Sequence, residues 1–127
     1  MTPNTYAPRL PTEDEEQAAL FRWVAFQKGK FPELETLYHI PNEGKRSKSQ
    51  GAKLKTIGLR PGVPDLCLPV ARGGFHALYI EMKRTKNGRL SDDQRRWLEK
   101  LNAAGNKAVR CGGWENAAEV ILNYLKG

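Results

Sequence analysis

The sequence has few cysteines, no long apolar run and no internal repeat. Its two cysteines, Cys67 and Cys111, lie far apart without CxxC spacing, which argues against both a disulfide framework and a zinc site. No apolar run approaches the roughly 18 residues that a membrane helix requires. The first residues also lack the apolar segment of a signal peptide. We therefore expect a protein of the reducing cytoplasm that has no membrane span.

Acidic residues are in the minority. The 127 residues include 21 Lys and Arg but only 14 Asp and Glu, which gives a formal net charge of +7. A small basic domain favours a polyanionic partner, most often nucleic acid. The chain is short for two domains but long enough to bury a core. Its 39% of hydrophobic residues argues against wholesale disorder.

Helix and strand patterns alternate along the chain. They follow a proline-rich stretch that predicts a flexible arm over residues 1–11, which leaves residues 12–127 for the domain. Capping boxes at Thr12 and Ser91 predict two helix starts. The predicted helices cover residues 13–28, 47–57, 92–105 and 114–125. The predicted strands cover residues 34–40, 65–70, 75–83 and 107–111. This order favours an α/β fold in which helices flank a mixed β-sheet.

Apolar residues at helical spacing predict the buried positions. In the first helix Leu20, Trp23 and Val24 form one stripe. Trp97 and Trp114 occupy similar positions in the two later helices. We expect all three tryptophans to lie in the core.

The most informative residues are Asp65, Glu81 and Lys83. Side chains alternate along a strand, so Glu81 and Lys83 project to one face and Met82 to the other. Asp65 opens the strand that a hairpin would pair with this one. We therefore expect two carboxylates and an ammonium group to meet at one edge of the sheet.

Such a trio has a specific chemical use. Two adjacent carboxylates repel each other unless a cation lies between them. Mg²⁺ accepts one or two carboxylates together with waters and a substrate phosphate, and it polarises a phosphoryl oxygen and activates water. A lysine can orient that water or neutralise developing charge. The alternative is an ordinary solvated surface, where an ion pair contributes about 0–1 kcal/mol.

Three segments together resemble a known family. They are GLRPGVPDL (58–66), IEMK (80–83) and LSDDQ (90–94). These segments are similar to the virus-type replication-repair nuclease domain (VRR-NUC) of the PD-(D/E)xK nuclease superfamily, over about residues 13–125. The resemblance implies a restriction-endonuclease-like αβββαβ core and a DNA endonuclease that depends on Mg²⁺ or Mn²⁺. It further implies a homodimer that acts on branched DNA, such as four-way junctions, in bacteria or phage-infected cells.

The resemblance also assigns roles to individual residues. Asp65, Glu81 and the backbone carbonyl of Met82 would hold the metal, and Lys83 would position the attacking water. The family has an acid in its first helix as well. Glu13, Glu15 and Glu16 compete for this role, and Glu15 already belongs to the capping box. We favour Glu16, because it lies four residues before Leu20 and shares the buried stripe. A first-turn acid can instead simply complement the helix dipole.

Gln94 has two interpretations. The family places a glutamine near the metal at the start of this helix, and position N3 of a capping box explains Gln94 equally well. Asn42 is either a turn residue or a substrate contact. The basic segment that follows is either a solvated helix face or a DNA contact that positions phosphates without specifying sequence. Its candidate DNA-binding residues are Lys45, Arg46, Lys53 and Arg60.

Two questions stay open in the sequence. The segment 108–111 lacks the second arginine that the family's name suggests, which leaves the role of Arg110 undefined. His39 is interpreted as a packed strand residue more readily than as a ligand.

The main alternative function is a non-catalytic DNA-binding module on the same fold.

Overall fold

A computed structural model describes residues 9–41, 52–53 and 55–127. In this part of the chain the helices are α1 (Glu13–Gln27), α2 (Asp92–Ala103) and α3 (Trp114–Lys126). The strands are β1 (Tyr38–His39), β2 (Leu66–Leu68), β3 (Leu78–Lys83) and β4 (Lys107–Gly112). Residues 52–53 and 55–56 are helical, within the predicted helix 47–57. None of the described helices is both long and apolar enough to span a bilayer.

The four strands form one mixed sheet in the order β1-β2-β3-β4. β2 pairs antiparallel with both β1 and β3, whereas β3 and β4 run parallel. A parallel pair needs a crossover connection, and α2 provides it. The predicted α/β class and the αβββαβ order of the core are therefore confirmed.

The core lies between one face of the sheet and helices α1 and α3. The strands contribute Leu66, Leu68, Leu78, Ile80 and Met82. The two helices contribute Leu20, Val24, Ala117, Ala118, Ile121, Tyr124 and Leu125. Because strand side chains alternate, Glu81 and Lys83 project to the opposite face.

Both predicted capping boxes are present. The Thr12 hydroxyl accepts from the Glu15 backbone N–H at 3.1 Å, and the Glu15 carboxylate accepts from the Thr12 N–H at 2.9 Å. Ser91 and Gln94 make the same reciprocal pair at 3.1 and 2.9 Å. The N-cap residue alone contributes about 1 kcal/mol to a helix, which explains why both helices begin at the predicted positions.

One predicted strand is largely wrong. Residues Pro32–Thr36 form a 3-10 helix, and the strand covers only Tyr38–His39. Pro32 begins the helix because its φ is already fixed near a helical value and its missing N–H has no partner to lose. Leu34, which suggested a strand, is buried from the 3-10 helix instead.

The tryptophans differ from one another in their surroundings. Trp23 and Trp114 are half-buried and pack against the core, as predicted. Trp97 lies outside the core cluster, so its predicted core position is wrong. Its indole N–H donates to the backbone carbonyl of Pro61 at 3.0 Å, and its ring lines a surface groove.

A glycine fixes the loop before β2 against α2. Gly62 has φ of +85°, and a Cβ added there would lie 2.6 Å from the backbone carbon of Asp93. Glycine is therefore required both by the backbone conformation and by the close approach. This contact joins the loop that leads to Asp65 with the first turn of α2.

We expect Gly62→Ala to lower the free energy of unfolding by about 2 kcal/mol, since a strained backbone conformation alone costs about 1–3 kcal/mol. Urea denaturation followed by circular dichroism measures the loss. Gly29→Ala is the matched control, because nothing lies within 4 Å of a Cβ at Gly29. Equal stabilities of the two variants would contradict the tight contact.

Candidate active site

Strand pairing brings the two predicted carboxylates together. Leu66 pairs with Ile80, so Asp65, one residue earlier, lies alongside Glu81, one residue later. Asp65 Oδ2 accepts a hydrogen bond from the backbone N–H of Met82 at 2.7 Å. This bond holds the Asp65 carboxylate at the edge of β3. The backbone N–H of Met82 thus contacts Asp65 directly. A metal contact by the Met82 carbonyl stays a prediction.

Glu81 is a buried acid with incomplete partners. It is 2% exposed, and its Oε2 lies 3.5 Å from the Nζ of Lys83, itself 6% exposed. Its Oε1 is buried without a hydrogen-bond partner among the described residues. Burial, followed by the negative charge of Asp65, raises the pKa of Glu81 to about 8, and Lys83 opposes this shift. The positive charge of Lys83 thus compensates only in part for the burial of this acid and its proximity to Asp65.

Gln94 caps α2 and contacts Glu81 in the same conformation. Its Oε1 accepts from the Ser91 N–H, which completes the capping box. Its Nε2 donates to Glu81 Oε2 at 3.1 Å. The two interpretations left open by the sequence therefore do not exclude each other. Through Gln94, the first turn of α2 therefore fixes the orientation of the Glu81 carboxylate.

Glu16 is buried as predicted, but its contacts lie elsewhere. Its Oε1 accepts from the backbone N–H of Trp114 at 3.0 Å, and its Oε2 accepts from the Thr85 hydroxyl at 3.1 Å. The carboxylate therefore caps α3 and holds the loop that leaves β3 two residues after Lys83. A direct metal contact by Glu16 stays a prediction.

Glu16→Ala should lower the free energy of unfolding by about 2 kcal/mol, because a buried donor left without its acceptor costs about 1–3 kcal/mol. Thermal or urea unfolding in EDTA checks this result without a contribution from metal. Glu13→Ala removes an exposed acid from the same helix turn and serves as the control. If both variants were equally stable, the capping role of Glu16 would be refuted.

Sequence reasoning undervalued His39. The residue is exposed rather than packed, and its Nδ1 lies 2.9 Å from the backbone carbonyl of Asp65. A carbonyl only accepts, so Nδ1 carries the proton and donates. The N–H of Ile40 donates to the same oxygen at 2.7 Å. β1 thus fixes the backbone at Asp65, a contact that no spacing rule in the sequence reveals.

Gly88 and Arg110 were also missed. A Cβ added at Gly88 would lie 2.8 Å from the Cβ of Lys83, so only glycine lets the loop cover that lysine so closely. Arg110 donates from its guanidinium to the Gly88 carbonyl at 2.6 Å. The open question about Arg110 has a structural answer, because it anchors the loop over Lys83.

The predicted DNA contacts are only partly described. Asn42, Lys45 and Arg46 lie outside the described residues. Lys53 and Arg60 are exposed, as a phosphate contact requires. Arg60 also lines a groove next to Trp97.

The residues of the site fit a divalent cation. Among the described residues no group of three or more His, Cys, Asp or Glu side chains could form a metal cage. Mg²⁺ does not need one, because it commonly binds one or two carboxylates and keeps several waters. The unpartnered Oε1 of Glu81 beside Asp65 is the observation that favours a cation here. A positive ion would relieve the repulsion between the two carboxylates.

Comparison with known proteins defines the class. The family model of the VRR-NUC domain matches residues 11–115. A solved structure described as a VRR_NUC domain protein has a TM-score of 0.81 and 34% identity, and the match covers 93% of this chain and 91% of that chain. No curated protein sequence matches. The fold is that of a nuclease-type DNA-processing domain. The chain belongs to the VRR-NUC family.

The raised pKa of Glu81 gives a stability prediction for the metal-free protein. Between its ordinary pKa of 4.5 and about 8, the folded state keeps a proton that the unfolded chain releases. The free energy of unfolding therefore falls as pH rises through this range. Glu81→Gln removes the effect, so its melting temperature should exceed that of the wild type by more at pH 8.5 than at pH 5. Calorimetry in EDTA measures both, and a pH-independent difference would contradict the burial of this acid.

Proposed function

We propose that the protein is a Mg²⁺- or Mn²⁺-dependent deoxyribonuclease, an endonuclease that hydrolyses phosphodiester bonds in branched DNA such as four-way junctions. The observation that carries the proposal is Glu81, whose buried Oε1 has no partner in the described part of the chain although Asp65 and Lys83 lie beside it. A buried polar atom without a partner is costly and calls for an explanation. A bound cation supplies one, and membership of a nuclease family supports it.

The site residues would divide the chemistry among them. Asp65 and Glu81, with the Met82 carbonyl, would hold the ion. When bound, such an ion polarises the phosphate and lowers the pKa of its water. Lys83 places a positive charge next to the reacting phosphate, where it orients the attacking water and offsets developing charge. Water attacks phosphorus, the bond to the 3′ oxygen breaks, and a 5′-phosphate and a 3′-hydroxyl remain.

Gln94 and Glu16 act less directly in this proposal. Gln94 holds Oε2 of Glu81 and thereby leaves Oε1 for the ion. Glu16 supports the end of β3 through Thr85 and would reach the metal only through water or after a rearrangement. Both residues keep the reacting groups in position, and small displacements at such positions reduce rates strongly.

Charge supports DNA as the substrate. The net charge of +7 attracts a polyanion without reading its sequence. Lys53 and Arg60 are exposed, and we propose that they contact phosphates together with Asn42, Lys45 and Arg46. Phosphate contacts position DNA but do not specify bases, which favours selection by DNA structure. A twofold homodimer would present two sites to one branched substrate.

Asp65→Asn and Lys83→Ala should each reduce the cleavage rate by about 10²–10³, as the loss of other single stabilising groups does. The assay uses labelled duplex, single-stranded, flap and four-way-junction DNA, each with Mg²⁺, with Mn²⁺ and with EDTA. Asp92→Asn is the matched control, because Asp92 is an exposed carboxylate at the start of α2 that pairs only with Arg95 among the described residues.

The same assay separates the nuclease from its alternative. Unchanged cleavage by Asp65→Asn would refute the metal site. Tight binding by the wild type without cutting in any metal would instead favour a non-catalytic DNA-binding module. Salt dependence does not distinguish the two, because both would contact phosphates.

A further inference from the structure

A basic groove lies between α2 and the loop that leads to Asp65. It has a volume of about 260 Å³, and its lining residues are Arg60, Pro61, Asp93, Arg96, Trp97 and Lys100. Three cations thus surround one carboxylate and one indole ring. Arg60 is already a proposed phosphate contact, whereas Arg96, Trp97 and Lys100 have no part in the reaction described above.

The groove is held rigidly to the site by two segments. One wall is the loop that leads to Asp65, and the other is α2, whose Gln94 contacts Glu81. The indole N–H of Trp97 donates to the Pro61 carbonyl at 3.0 Å. The close approach of Gly62 to Asp93 locks the same two segments together. Anything bound in the groove therefore has a fixed position relative to the reacting groups.

The electrostatics of the groove favour an anion. Arg96 is paired with Asp93 at 3.2 Å. Within the described part of the chain, Arg60 and Lys100 take part in none of the ion pairs. Two cations without an ion pair among the described residues, and the guanidinium donors of Arg96 other than Nη1, are thus available in a pocket that Trp97 helps to line. A phosphate linked to a planar base matches this arrangement.

The groove continues beyond Trp97. A second hollow of about 170 Å³ shares Arg60 and Trp97 with the first and extends along Leu59 to Ile40 and Pro41. Each hollow alone is smaller than the roughly 300–1,000 Å³ of a typical small-molecule pocket. A continuous track of two small hollows suits successive units of a strand better than one compact metabolite.

We propose that this groove binds an unpaired nucleotide of the DNA substrate, with its base against Trp97 and its phosphates against the three cations that line the groove. The inference rests on the proposed nuclease function and narrows its branched substrate to DNA with a single-stranded segment beside the cut, such as a flap, in place of a fully paired four-way junction. Paired bases are stacked inside a duplex and cannot reach a side chain on the protein surface. Single-stranded DNA offers both groups, and stacking of a base on an aromatic ring tolerates any sequence.

Neighbouring arginines on α2 provide a matched test. Arg95 pairs with Asp92 at 3.1 Å and Arg96 with Asp93 at 3.2 Å, and their side chains are 56% and 62% exposed. Only Arg96 lines the groove. Arg95→Ala and Arg96→Ala therefore remove the same charge and the same kind of ion pair from the same helix.

Binding is measured by fluorescence anisotropy in EDTA, which prevents cleavage. The probes are a blunt duplex and the same duplex with a four-nucleotide single-stranded extension. We expect Arg96→Ala and Lys100→Ala to weaken binding of the extended probe by about fivefold or more, the effect of one lost charge-assisted contact. Arg95→Ala should change the affinity for the extended probe less than twofold. With the blunt duplex, Arg96→Ala and Lys100→Ala should lose less affinity than they lose with the extended probe.

Intrinsic fluorescence tests the stacking directly. Saturation with a short single-stranded oligothymidylate should quench the wild-type tryptophan emission. The quench should disappear in Trp97→Phe, which keeps an aromatic ring, and persist in Trp114→Phe. Quenching that survives in Trp97→Phe would place the base elsewhere and overturn the proposal.

The outcomes distinguish a failure of the proposed nucleotide groove from a failure of the proposed nuclease activity. Equal weakening by Arg95→Ala and Arg96→Ala, or equal weakening for both probes, refutes the groove even if the wild type cleaves DNA with Mg²⁺. Selective weakening by Arg96→Ala supports the groove even if no metal gives cleavage, in which case the nuclease proposal alone fails.

Discussion

The buried carboxylate of Glu81 is the constraint on which the site depends. Burial and the charge of Asp65 oppose its ionisation, and the charge of Lys83 offsets them in part. Such a group destabilises the metal-free fold unless it stays protonated. Natural proteins retain groups of this kind where function requires them. The free-energy cost of burying Glu81 is offset in part by the contacts that Lys83 and Gln94 make with its carboxylate.

Each element next to the sheet fixes a different part of this arrangement. β1 holds the backbone at Asp65 through two bonds to its carbonyl, and α2 holds Glu81 through Gln94. α1 holds the loop after β3 through Glu16, which also caps α3. Asp65 immediately precedes β2, and Glu81 and Lys83 lie on β3, but contacts from several other elements fix their orientation. Preorganisation of this kind lets a site act without rearranging during the reaction.

The sequence predicted the parts of the structure that obey local rules. Capping boxes and strand alternation have fixed spacings, so both helix starts and the pairing of Asp65 with Glu81 were predictable. The burial of Glu16 followed from its helix stripe, but its partner did not, because Trp114 lies 98 positions away. The same holds for the cover that Gly88 provides over Lys83. Short alternating segments are ambiguous, which is why a 3-10 helix was predicted as a strand.

The bond between Glu16 and the start of α3 also links the first helix of the domain to the last. β2 and β3 are close in sequence and can pair while the chain is still being made. α1 leaves the ribosome first, yet the groups that receive its buried carboxylate include the backbone of Trp114, 98 positions later. Domains complete their folding only when their last packing element has emerged. α1 therefore acquires both partners for its buried carboxylate only when the chain through Trp114 is available, which makes the packing of the first helix depend on the last.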